Sequence, residues 1–154
     1  MDLLSVTPDQ VDALHNLKFD GERIKEHAKK FIARLSAVCQ EETVRERWGV
    51  SFMVQPDGTT VELETPFGDA KAQLSLLVNG ESVEGVWGVR RKGFNEEGEP
   101  VFLRVASFRV SKSGTIYLGE TDERPISSRT QFVAGEDLSA YQVMGAIIYL
   151  LGAH

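Results

Sequence analysis

The 154-residue sequence predicts an α+β fold: an antiparallel meander sheet of about six strands, flanked by a short and a long N-terminal helix and an apolar C-terminal helix. Three observations carry that expectation. Apolar residues recur at three- and four-residue steps from Ile24 to Cys39. The period then changes to two from Trp48 onward, and an uncharged apolar run closes the chain from Tyr141. The length fits one domain over residues 1–154.

Thr7-Pro8-Asp9-Gln10 opens the short helix, with Thr7 as N-cap, Pro8 at the first helical position and Gln10 as capping-box partner. Asp20 is expected to cap the long helix, with Phe19 and Ile24 as a hydrophobic staple. Ile24, Ala28, Phe31, Ile32, Leu35, Val38 and Cys39 make one buried stripe, and the helix should end between Glu42 and Arg45.

Trp48, Val50, Phe52 and Val54 alternate as a first strand. Pro56-Asp57-Gly58-Thr59 turns the chain into Val61–Thr65. Pro66–Asp69 interrupts, Ala72–Val78 follows, and Asn79-Gly80 is a hairpin signal leading to Val83–Val89. Gly93–Pro100 reads as a polar loop. Val101–Val110 is apolar on both faces and so central, and Ser113-Gly114 turns it into Thr115–Leu118. Gly119–Ser128 reads as irregular, with Thr130–Val133 as a short edge strand. Gly135-Glu136-Asp137 opens the last helix, its acidic residues set against the helix dipole.

Composition narrows the function classes. The formal net charge is −6, which weighs against general nucleic-acid binding but leaves room for a local basic patch. The single cysteine, Cys39, excludes an intrachain disulfide and fits a cytoplasmic, reducing setting. Met1-Asp2-Leu3-Leu4 has neither a basic region nor an apolar run, so no signal peptide is expected. The apolar stretch from Tyr141, at ~1.5 Å per residue, falls short of a ~30 Å bilayer core, so no membrane span is expected either.

No cofactor or metal is expected. His15, His27 and His154 stand in no ligand motif, and Gly85-Val86-Trp87-Gly88 lies in a strand that leads to no helix, as a phosphate loop would. Those glycines mark a bulge or a close backbone approach instead. Cys39 falls on the buried stripe and should be inert. Pro56-Asp57 with Glu62-Leu63-Glu64 resembles the proline–aspartate and acidic-x-lysine pattern of restriction-type nucleases, but Glu64 replaces the lysine and the spacing is short.

Two constellations remain. Arg90, Arg91 and Lys92 end a strand beside the one carrying Arg104 and Arg109. With Trp87 and Phe102 nearby, they form a candidate contact for nucleic acid or another anionic partner. The terminal helix has no charge between Tyr141 and Ala153 and must be covered on more than one side. Tyr141, Met144, Ile148 and Leu151 are therefore candidates for a homodimer or partner interface.

The leading expectation is a non-enzymatic protein-binding module. Nucleic-acid binding comes second, and third is an enzyme or small-molecule site assembled from Glu62, Glu64, Tyr117 and Arg109. Element order, size and charge are similar to those of type III secretion chaperones, although the uninterrupted strands depart from that family's mid-chain helix. Small phage or bacterial inhibitor and immunity proteins share the compositional profile. Either resemblance implies an adaptor, chaperone or inhibitor that works by binding a protein.

Overall fold

The Thr7 hydroxyl accepts from the Gln10 amide (3.3 Å) and the Gln10 side chain accepts from the Thr7 amide (2.9 Å). This capping box starts α1 (Pro8–His15) as the sequence predicts. The structure, a computed structural model, describes residues 6–80, 82–119, 125–127 and 138–153.

The second helix departs from expectation at its start. α2 (Leu17–Gln40) follows α1 after Asn16 alone, and no side chain caps it. Asp20 is not its N-cap, because the Asp20 amide already bonds the Asn16 carbonyl at 2.9 Å inside the helix. The staple is absent too: Phe19 is 65% exposed, with the Arg23 guanidinium 5.8 Å from its ring centre. The buried stripe is as predicted, from Ile24 to Cys39. The helix stops earlier, at Gln40, and a short α3 (Glu42–Trp48) follows. Gly49 ends α3 in the left-handed conformation (φ 63°), which suits a glycine just past a helix. Trp48 therefore sits on a helix, 5.0 Å from the Tyr141 ring, rather than in a strand.

Seven antiparallel strands are described, each paired with the next: β1 (Ser51–Val54), β2 (Val61–Thr65), β3 (Gly68–Asn79), β4 (Ser82–Phe94), β5 (Pro100–Val110), β6 (Thr115–Leu118) and β7 (Pro125–Ser127). The meander is as predicted. Its seventh strand falls in a stretch expected to be irregular, because three residues beginning with proline carry no alternation signal. Proline is tolerated there at an edge. The expected strand at Thr130–Val133 and the helix start at Gly135–Asp137 lie outside the described residues.

The central strands are longer than predicted. β3 begins at Gly68 instead of Ala72, and β4 runs past Lys92 through Gly93 and Phe94, which were expected to be loop. Between Val89 and Arg90 the pairing with β5 slips by one: Val89 faces Ala106, but Arg90 faces Arg104, leaving Val105 as an extra residue.

The helices pack on one face of this sheet. Ile24, Phe31 and Leu35 of α2 join Val61, Leu63, Ala72, Trp87, Val89, Phe108 and Val110 in one core. Trp87 and Phe108 stack at 5.6 Å, Phe31 meets Phe108 edge-on at 6.4 Å, and the Trp87 indole donates to the Thr59 carbonyl (3.1 Å). Gly85 lets α2 come close, since a methyl group there would stand 2.6 Å from Ile24 Cγ2.

α4 (Leu138–Ala153) completes the layer. Ala140, Val143, Met144, Ile147 and Leu151 are buried, and Ile148 packs partly against the same core. The expectation that this helix needs cover all round is corrected. Its outward positions are Tyr141, Gln142, Ala146 and Tyr149, polar-tipped, polar or small. The chain's own core encloses Met144 and Leu151. No helix among the described residues is long and apolar enough to cross a membrane.

Candidate functional site

Strand alternation gives the sheet a second face that no described helix covers. Glu62 and Glu64 of β2, Lys71, Gln73 and Ser75 of β3, Arg90 and Lys92 of β4, and Phe102 and Arg104 of β5 all project there and are exposed. Register lines up three cations. Lys71 faces Arg90 across β3 and β4, and Arg90 faces Arg104 across β4 and β5. Two residues further along, Lys92 faces Phe102.

Neighbouring strands lie roughly 4.8 Å apart, so the three cations span about 10 Å. Like charges directly opposite destabilise a sheet. Among the described residues, no carboxylate comes within ion-pairing distance of Lys71, Arg90, Lys92 or Arg104.

The bulge creates this row. With regular pairing, Arg104 would face Arg91 and point to the helix side; the extra Val105 turns it to the open side, opposite Arg90. Gly88 supplies the space beside it. A methyl group at Gly88 would stand 3.0 Å from Arg104 Nη2 and 3.2 Å from Nε, so the guanidinium lies against bare backbone. Lys71, Gln73, Ser75, Gly88, Arg90, Phe102 and Arg104 line a cavity of about 250 Å³. A second cavity of about 250 Å³ adjoins it through Lys71 and Phe102 and is bounded by Met53, Glu62, Glu64 and Asp69.

The five cations nominated from sequence separate into three groups. Arg90, Lys92 and Arg104 come together on the open face. Arg91 points to the other side, where its Nη1 donates to the Leu151 carbonyl (3.0 Å) near the end of α4. A cation there offsets the negative end of the helix dipole. Arg109 stands further along β5, 3.8 Å from Glu84, with its guanidinium 5.0 Å from the Tyr117 ring centre and its Nε donating to Gly119 (3.3 Å). Trp87, expected beside the arginines, is buried in the core instead.

Lys71 was missed because the strand was expected to start at Ala72; the alternation Ala70-Lys71-Ala72-Gln73 was the available signal. Phe94 was missed because it fell in the expected loop. It is 68% exposed, and Phe102 is 49% exposed.

The other candidates do not assemble. Glu62 and Glu64 lie on β2 and Tyr117 on β6, four strand spacings apart or roughly 19 Å. Asp57 is a turn residue: its carboxylate accepts from the Thr60 hydroxyl (2.7 Å) and the Thr59 and Thr60 amides (2.9 and 2.8 Å). These bonds, the hydroxyl's first, hold its pKa down to about 2. Burial, reinforced by the Glu41 charge, pushes the Cys39 thiol up to about 12, which leaves it protonated. His15 is exposed at the end of α1 and His27 is half-buried on α2; His154 lies outside the described residues. Among the described residues, no cluster of three or more His, Cys, Asp or Glu side chains could hold a metal ion. No protein-family profile matches the chain, and no curated protein or solved structure matches it either.

Proposed function

We propose that the chain is a binding module that takes an elongated anionic partner on the open face of its sheet. The observation that carries this reading is the row Lys71–Arg90–Arg104, three cations abreast on adjacent strands and ion-paired to no carboxylate among the described residues, although Glu62 faces Lys71 from β2. A surface that holds like charges together gains most from a ligand of opposite sign. The exposed rings of Phe94 and Phe102 add apolar contact on the same face. A cytoplasmic setting goes with this reading, since the lone Cys39 has no partner thiol within the chain.

Binding to a second copy through α4 has less support. Two of its four nominated residues, Met144 and Leu151, are enclosed within the chain.

Retention on an immobilised polyanion such as heparin tests the proposal. A chain of net charge −6 has no general attraction for such a matrix, so retention at low salt reports a local basic site. Arg90→Glu combined with Arg104→Glu should abolish retention and leave the thermal melt unchanged. Retention that survives both reversals would sink the reading.

A further inference from the structure

We infer that the anionic partner is a single-stranded nucleic acid, with phosphates on Lys71, Arg90, Lys92 and Arg104 and an unpaired base on Phe102. This rests on the reading above and names its ligand.

Position in the sheet argues first. Lys71 and Arg90 lie on β3 and β4 where each strand is paired on both sides, whereas β5 at Phe102–Arg104 pairs, among the described strands, with β4 alone. Peptides recognised by a sheet commonly add at an edge, where their main chain gains hydrogen bonds. A peptide laid across the row gains none over β3 and β4, whereas a phosphate chain needs only cations and donors along its path. Arginine fits that role closely, because its planar fork binds phosphate with two parallel hydrogen bonds. Bare backbone at Gly88 leaves room for Arg104 to lie along the sheet.

The aromatics argue second. Phe102 faces Lys92 in register, and Phe94 is the next outward position beyond Lys92 on β4. Rings interleaved with cations on a sheet suit unpaired bases, which stack while phosphates sit on the charges. A duplex keeps its bases stacked inside and cannot offer them. The width argues third. The cationic strip is about 10 Å across, and Glu62, Glu64 and Asp69 bound it on the β2 side. That rim repels a second phosphate backbone.

Fluorescence anisotropy of the full chain with a labelled oligothymidylate about 12 nucleotides long tests this, alongside the matching duplex and poly-L-glutamate. The single strand should bind most tightly. Four phosphate contacts predict a slope of log affinity against log salt of roughly −3, from about −0.7 per contact. Phe102→Ala should weaken binding about ten-fold or more, the effect of losing one stacked base. Leu103→Ala, an exposed position on the opposite face, should change nothing.

Three outcomes overturn the inference: tighter duplex binding, single-strand binding indifferent to Phe102→Ala, or binding of poly-L-glutamate alone. The last leaves the anion-binding face intact and makes the partner an acidic peptide. If no polyanion binds, the face itself is refuted along with its ligand.

Discussion

Gly85 and Gly88 stand three residues apart on β4 and face opposite sides of the sheet. Each is small for a different reason. At Gly85 the missing side chain admits Ile24, so that α2 can lie close over the strand. At Gly88 it admits the guanidinium of Arg104. One strand thus serves a dry core on one face and an open cationic surface on the other. The two faces should fail differently: substitutions on the helix side should cost stability, and those on the open side should cost binding.

The sharpest break of that contrast is on the helix side. Met144 is fully buried between α4 and the core. Met144→Ala should destabilise the chain by about 2–5 kcal/mol, from lost burial plus the cavity left behind. Urea unfolding followed by circular dichroism measures it. A cost below about 1 kcal/mol would mean that α4 is not packed as described. Gly85→Ala should come next, at about 1–3 kcal/mol. Its new methyl group would press on Ile24 Cγ2, which sits on a branched and stiff side chain, so α2 itself must shift. In an Ile24→Ala background the same change should cost less, and a double-mutant cycle would read that coupling.

Arg90 and Arg91 place the same contrast in adjacent residues. Arg91→Ala removes a hydrogen bond to the Leu151 carbonyl and a cation from the end of α4. A loss of about 0.5–1.5 kcal/mol is expected, with polyanion binding unchanged. Arg90→Ala should do the reverse, weakening retention without lowering the melt, since it also relieves the like charges of Lys71 and Arg104 on either side.

That Arg90–Arg91 division was not legible in the sequence, which presents Arg90-Arg91-Lys92 as one cluster. What could be read was periodicity. The stripe from Ile24 to Cys39 and the alternation through Val61, Leu63, Ala72 and Trp87 place the core correctly. Register was harder: the glycines at 85 and 88 signalled a bulge or close approach on β4, but the extra residue, Val105, lies on β5. Nothing in Arg104-Val105-Ala106 announces that Val105 is skipped, yet that skip decides which face Arg104 occupies. Caps were ambiguous for a related reason. Asn16 and Asp20 are both good N-cap residues, and only the backbone path out of α1 selects between them. The terminal helix misled because the absence of charge was read as the absence of an outer side. Tyr149 is 75% exposed with its hydroxyl available to water, so a helix without charges still has an outer side.

The smallest expected effect tests the open face most directly. Gly88→Ala places a methyl group 3.0 Å from Arg104 Nη2 and 3.2 Å from Nε, atoms toward the free end of a long side chain. The guanidinium can swing away at little cost, unlike Ile24 over Gly85. Replacing a strand glycine also restricts the unfolded chain, which is worth about 0.4–1 kcal/mol in favour of folding where the backbone suits alanine. The two effects oppose, so the denaturation midpoint should barely move. Polyanion retention should nonetheless shift to lower salt, because Arg104 no longer lies against the strand beside Arg90. A variant as stable as the parent but weaker in binding would show Gly88 serving the cation row alone. Equal loss at Gly85 and Gly88, measured by the same unfolding titration, would erase the distinction between the two faces.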